Sequence, residues 1–168
     1  MQQKNVCPRM NHGGGKVMVW GCVTSCGFGW LVHVNGNMNV AEYIRVLKEG
    51  LFGTLDDHNI SCHSVYFQQD NNPKHTSAAA QKWFKNKHFS LLRWPADSPD
   101  MNIMENVWNQ LEVKYNCWEC HAWNPDELFE MLQEEWGKLS QEYYLHLYES
   151  MPHRVGQVIK AKDKWTRH

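Results

Sequence analysis

Asp70 and Glu105 stand where a folded chain can aim two carboxylates at one point. Asp70 closes the β-rich run Ser64-Val65-Tyr66-Phe67-Gln68-Gln69. Glu105 opens an apolar-periodic run just after the turn-rich stretch Trp94-Pro95-Ala96-Asp97-Ser98-Pro99-Asp100, with 34 residues between the two acids. Hard divalent cations such as Mg2+ and Mn2+ prefer oxygen ligands, and a pair of such ions stabilises both the attacking and the leaving oxygen of a phosphoryl displacement. Two carboxylates at element ends are therefore read as half of a metal site for cutting nucleic acid. Each also has a plainer use: Asp70 precedes Asn71-Asn72-Pro73, where an Asp forms an Asx-turn, and Glu105 suits the first turn of a helix dipole.

Around this pair lie further polar residues. Lys74 and His75 fall at the mouth of the next helix, where a cation or hydrogen-bond donor could meet a DNA phosphate; a solvated Lys and a capping or core-edge His are the alternatives. Asp100 is well placed as a helix cap. His12-Gly13-Gly14-Gly15-Lys16 precedes a strand rather than opening a helix and lacks the Walker spacing, so it is not read as a phosphate cradle. Cys117-Trp118-Glu119-Cys120-His121 formally matches a c-type haem attachment motif, but nothing supplies a distal ligand, and we read the thiols as surface or partly buried groups.

The elements that would position the acids follow from periodicity. Val17–Val23 and Trp30–Val34 read as a β-hairpin around a Gly-containing loop. Asn39 caps a helix through Tyr43, Ile44, Leu47 and Leu51 that Gly50 or Gly53 should end. Ser64–Gln69 and Phe89–Trp94 read as strands flanking a helix capped by Thr76 or Ser77 that buries Ala79, Ala80, Trp83 and Phe84. The helix after Pro99 carries Met104, Val107, Trp108, Leu111 and Tyr115 on one stripe. Asn124-Pro125-Asp126-Glu127 starts another, with Leu128, Met131, Leu132 and Trp136 on its face, and helices through Tyr143–Glu149 and Arg154–Lys162 complete a C-terminal helical layer. Alternating strands and helices behind an antiparallel hairpin give an α/β class: a mixed sheet with helices on its faces, in one domain over 1–168.

Composition narrows the function classes. With 168 residues and 42% hydrophobic content the chain can bury one core, and its apolar stretches are too short to span a membrane. Without a secretory pattern, its six Cys are expected as reduced thiols in an intracellular protein. Net charge is −1, so nucleic-acid binding is not announced globally. Locally, residues 119–142 hold seven acids against Lys138, and residues 150–168 hold five bases (Arg154, Lys160, Lys162, Lys164, Arg167) against Asp163. The acidic run reads as a solvated helix face, and the basic run as a solvated tail or a contact to DNA backbone. Most of the nine Trp, including Trp20, Trp83, Trp94, Trp108 and Trp136, fall on core-facing positions.

The words VYFQQDNNPKHTS (65–77) and LLRWPADSPDMNIMENVW (91–108) together resemble the DDE catalytic domain of mariner-superfamily DNA transposases. HGGGKVMVWGCVTSCGFGWLVHVNGNMNVAEYIRVLKEGL (12–51) and SMPHRVGQVIKAK (150–162) agree in the same order, so the resemblance covers nearly the whole chain. It implies a ribonuclease H-like fold and a nuclear DNA transposition and integration enzyme using two Mg2+ or Mn2+ ions. Asp70 would bind both ions and Glu105 one. DNA would be the partner, contacted by Lys74, His75, Arg154, Lys160 and Lys162, and a homo-oligomer is a further option. It also implies a first acid on an opening strand upstream of His12–Gly15, yet no Asp or Glu precedes Glu42. The expectation is therefore an N-terminally truncated domain without its first strand or the family's helix-turn-helix region, inactive as an isolated chain; the alternative is an inert DNA- or protein-binding remnant. Where the family usually reads Asn-Pro-Ile-Glu-Asn, this chain reads Asn102-Ile103-Met104-Glu105-Asn106.

Overall fold

Val17, Met18, Val19 and Trp20 are apolar at consecutive positions, which suits a strand buried on both faces rather than on one. The computed structural model, which describes residues 9–12, 15–94, 101–118 and 122–160, shows that arrangement. Strand β2 (Gly15–Thr24) pairs antiparallel with β3 (Gly27–His33), and Gly27 supplies the positive φ of +134° that closes the hairpin. A short strand β1 (Arg9–His12) pairs antiparallel with Gly15–Met18, giving the order β1-β2-β3. On one face of the hairpin, Val17, Val19 and Leu31 join Val107, Trp108, Leu111, Leu128, Leu132 and Trp136. On the other, Trp20, Val32 and Val34 join Tyr43, Val46, Leu47, Leu51, Ala80 and Phe84.

The second layer begins at Asn39, whose side chain accepts the Glu42 N–H and caps α1 (Val40–Val46). The chain then passes through a π-helical turn (Leu47–Leu51) into α2 (Phe52–Asp57), so neither Gly50 nor Gly53 ends the helix as the sequence suggested. These glycines serve close packing. A Cβ on Gly50 would lie 2.5 Å from the Trp20 ring, and one on Gly53 2.9 Å from the Trp30 ring.

Strands β4 (Tyr66–Phe67) and β5 (Ser90–Leu91) pair in parallel across α3 (Ala78–Asn86), whose cap is Ser77. The parallel unit behind an antiparallel hairpin is as expected, although both strands are shorter than the apolar runs that suggested them. Helix α4 (Ile103–Asn116) is capped by Asn102; Asp100 lies outside the described residues. Asn124 caps α5 (Pro125–Gly137).

Two C-terminal helices were expected, and a single one is found, α6 (Gln141–Lys160), with Pro152 inside it. Proline costs one backbone hydrogen bond and crowds the carbonyl four residues earlier. Pro152 and Tyr148 are both exposed, so water can satisfy the freed carbonyl and the helix continues. Trp20, Trp83, Trp108 and Trp136 are buried as the periodicity indicated, while Trp30 and Trp123 are exposed. Among the described residues, no helix is long and apolar enough to cross a membrane.

Candidate metal centre

Asp70 follows β4 directly, and the sequence behind it builds a tight return. Asp70 Oδ1 accepts the Asn72 N–H at 3.1 Å, and Asn72 Oδ1 accepts the Lys74 N–H at 3.1 Å. The Asn72 carbonyl takes the His75 and Thr76 N–H groups at 2.9 and 3.0 Å. These successive Asx-type turns bring residue 75 back over residue 70. His75 Nδ1 then lies 2.5 Å from Asp70 Oδ1.

His75 is 2% exposed, with its ring 4.3 Å from that of Tyr43. The Tyr43 hydroxyl donates to Gln69 Oε1, and Gln69 Nε2 donates to the His75 carbonyl at 3.3 Å. The Asx-turn reading of Asp70 therefore holds together with a more demanding role, because the same oxygen is fixed from two sides. Oδ2 accepts no hydrogen bond from any described residue and is the oxygen left for a ligand.

Glu105 is aimed by the cap of α4. Asn102 accepts the Met104 N–H with its side chain at 3.1 Å and the Glu105 N–H with its carbonyl at 3.1 Å. This side-chain cap fixes the helix start at the point where the family's usual Pro is replaced by Ile103. The Glu105 carboxyl is half-buried, and its pKa is held above the usual carboxylate value, first by burial and second by the charge of Asp70. Asp70 and the residues Asn102, Ile103 and Met104 leading into Glu105 line one cavity, so the like charge of Asp70 acts against the ionised Glu105. A divalent cation would relieve that repulsion, and the donor set, hard carboxylate oxygens with one free on Asp70, fits Mg2+ or Mn2+. Among the described residues, no group of three or more His, Cys, Asp or Glu side chains forms a ready metal cluster.

The remaining candidates are spread out. Lys74 is half-buried in the turn beside Asp70. His75 faces inward to Asp70 and Tyr43 instead of outward to solvent. Arg154 is half-buried on α6 with its Nε on Ser150 Oγ at 2.9 Å, and Lys160 is exposed at the end of that helix. Lys162, Asp97 and Cys120-His121 lie outside the described residues. Sequence reasoning did not find the pairing of His75 with Asp70. The signal was present in Asp70-Asn71-Asn72-Pro73-Lys74-His75, since two Asx turns in succession reverse the chain within five residues.

One helix further on, the acidic run is not wholly solvated as expected. Glu135 on α5 is 6% exposed and binds Lys138 Nζ at 2.8 Å, Trp118 Nε1 at 3.2 Å and Lys114 Nζ at 3.5 Å. Lys138, which reaches Glu135 from the next turn, leads in holding its pKa below the usual value. Of the thiols, Cys22 is pushed up to about 11 by burial, which leaves it protonated and unreactive.

Residues 3–124 match the family model of the DDE superfamily endonuclease. The chain is 37% identical over 165 residues to the Tc1 transposase of Caenorhabditis elegans, covering 98% of this chain and 59% of that protein. It is 38% identical over 162 residues to the Tcb1 transposase of Caenorhabditis briggsae, covering 96% and 58% respectively. The chain therefore spans somewhat over half the length of these curated relatives. Among solved structures, the catalytic domain of the Mos1 mariner transposase superposes with a TM-score of 0.82 at 18% identity, over 96% of this chain and 81% of that one. The Mos1 paired-end complex with Mn gives 0.80 at 20% identity, over 99% of this chain and 49% of that one. The fold is that ribonuclease H-like catalytic fold.

Proposed function

Since the chain belongs to the DDE superfamily endonucleases, within the mariner superfamily of transposases, we propose that it is the metal-binding part of a DNA cleavage and strand-transfer domain. The observation that carries this reading is that Asp70 and the residues Asn102, Ile103 and Met104 leading into Glu105 line one cavity although their elements are remote in sequence, with the charge of Asp70 adding to burial in raising the Glu105 pKa. Asp70 offers its free oxygen and Glu105 the second carboxylate, while His75 orients Asp70 by holding Oδ1. Bound divalent ions would polarise the phosphodiester and lower the pKa of an attacking water or 3′-hydroxyl. Mg or Mn accompanies the Mos1 catalytic domain in solved structures, which supports the choice of ion.

DNA is the proposed partner, engaged by the exposed Lys160 at the end of α6 and by Lys162, two residues on in sequence, with Lys74 beside Asp70. The solved Mos1 paired-end complexes support DNA as the partner, and an oligomer on DNA and a nuclear location belong to the same proposal. The alternative is an inert DNA- or protein-binding remnant. Nicking of supercoiled DNA in Mn2+ separates the readings. Two carboxylates leave most of an ion's roughly six coordination positions to water, so we expect DNA binding that weakens with salt and no cleavage until a further acid is supplied. Cleavage by this chain alone that disappears in Asp70→Asn with Glu105→Gln would overturn the incomplete-site reading.

A further inference from the structure

Two histidines stand at the end of the parallel unit away from the acids. His63 lies in a 3-10 turn (Cys62–Ser64) that leads into β4, and His88 lies between α3 and β5. Because Tyr66 and Ser90 are partners in the register of β4 and β5, the two side chains come from the entries of adjacent strands. Asp70 follows β4 at its other end, so this position is separate from the metal centre.

The backbone marks His88 first. Its N–H donates to the Lys85 carbonyl at 3.1 Å and the Phe89 N–H donates to the Phe84 carbonyl at 3.1 Å, the Schellman pattern that ends a helix with one left-handed residue. His88 holds that place with a φ of +59°, where glycine is the usual choice. Asn59 ends α2 in the same way with a φ of +53°, so the chain uses a short polar residue where only the turn matters.

The rings are also close together and free for other work. The imidazoles of His63 and His88 lie 5.3 Å apart, centre to centre, with planes inclined at 35°, and both residues are exposed. Among the described residues, neither ring nitrogen pair hydrogen-bonds to protein, whereas His58, His75 and His153 are engaged by Thr24, Asp70 and Gln157. A Zn2+ ion holds an imidazole nitrogen at about 2.0–2.1 Å, so two imidazoles on one tetrahedral ion have ring centres about 5 Å apart. The observed spacing meets that requirement.

We propose that His63 and His88 form a two-imidazole site for a borderline transition-metal ion, Zn2+, Ni2+ or Cu2+, which ties the entry of β4 to the end of α3. Among the described residues, no third His, Cys, Asp or Glu joins them, so water completes the shell. Imidazole suits these ions, whereas Mg2+ and Mn2+ prefer oxygen. Lys85 and Lys87 precede His88, and Lys87 reaches over the Phe52 ring at 5.6 Å. Their charge disfavours a hard cation held by charge alone and leaves nitrogen coordination as the source of affinity. The two ends of β4 thus offer different metal chemistries, and this one does not depend on the reading of the acids.

The test adds NiCl2 to the chain and follows paramagnetic perturbation of backbone amide signals, with MnCl2 in a parallel titration. Ni2+ is expected to perturb residues 62–64 and 87–89 at concentrations where Mn2+ leaves them unchanged. His88→Gly removes one ligand and suits the positive φ, so that variant should fold at least as well as the unaltered chain. His63→Ala removes the other ligand from an exposed turn. Each should weaken Ni2+ binding there about tenfold or more, and the double variant should lose little further, because chelation is gone with the first ligand. If His88→Gly does not fold, His63→Ala decides. The proposal is overturned if the perturbation centres elsewhere, if a folded single variant binds as tightly as the unaltered chain, or if the second substitution weakens binding as much again, the mark of two independent imidazoles. Asp70→Asn with Glu105→Gln should leave the Ni2+ response at these residues unchanged, so failure of the acidic centre and failure of this site are read separately.

Discussion

Glu135 and Glu105 are both drawn out of water on adjacent helices, and their surroundings push them in opposite directions. Glu135 faces two lysines and an indole N–H, and its pKa falls. Glu105 has burial and the like charge of Asp70 for company, and its pKa rises. A withdrawn carboxylate with cations around it fastens one element to another. One set beside a second acid opposes its own burial, and that is the local inconsistency expected where a fold is arranged for a ligand rather than for itself.

The largest expected effect lies at the fastening acid. Glu135→Ala removes the shared acceptor of Lys114, Lys138 and Trp118. It should cost about 2–3 kcal/mol, or about 5–10 °C in Tm by differential scanning calorimetry. An equal loss in Glu105→Gln would dissolve the distinction between the two sites.

Next comes His75. His75→Ala empties a buried position beside Tyr43 and frees Asp70 Oδ1, with an expected loss of about 1–3 kcal/mol. Heteronuclear NMR should show the perturbation centred on residues 69–76 with α5 unmoved. A spread into α5 would contradict the independence of the two regions.

The smallest effect carries the sign of the comparison. The raised pKa of Glu105 means that its ionisation opposes folding: the cost is absent below the ordinary carboxylate value and fully present above the raised one. Glu105→Gln should therefore raise Tm slightly near neutral pH, and the gain should vanish in acid. Glu135 runs the other way, its contribution present above the ordinary value and lost as pH falls through its lowered one. Thermal melts of both variants across pH 3–8, with the Glu105→Gln curve lying below the unaltered chain at neutral pH, would refute the repulsion.

Much of this was legible in the sequence because it rests on local rules. Asn39, Ser77 and Asn124 cap where their side chains and the apolar stripes behind them indicate, and the hairpin and the parallel unit follow from β-rich runs. The failures come from tertiary packing. Gly50 and Gly53 look like helix ends until Trp20 and Trp30 are seen against them, and Pro152 looks like a break until its exposure is known. Glu135 looks solvated in an acidic run because Lys114 approaches from another helix. Asp70 and Glu105 were proposed from their words and positions, whereas the histidine that fixes one oxygen of Asp70 required the turn geometry.

The central claim, that Asp70 and Glu105 form a divalent-cation site, is tested most directly by titrating Mn2+ into the protein and following paramagnetic broadening of backbone amides. The account predicts weak binding, with broadening confined to the end of β4 and the first turn of α4, and its loss in Asp70→Asn with Glu105→Gln. Broadening centred elsewhere, or unchanged in the double variant, would contradict it.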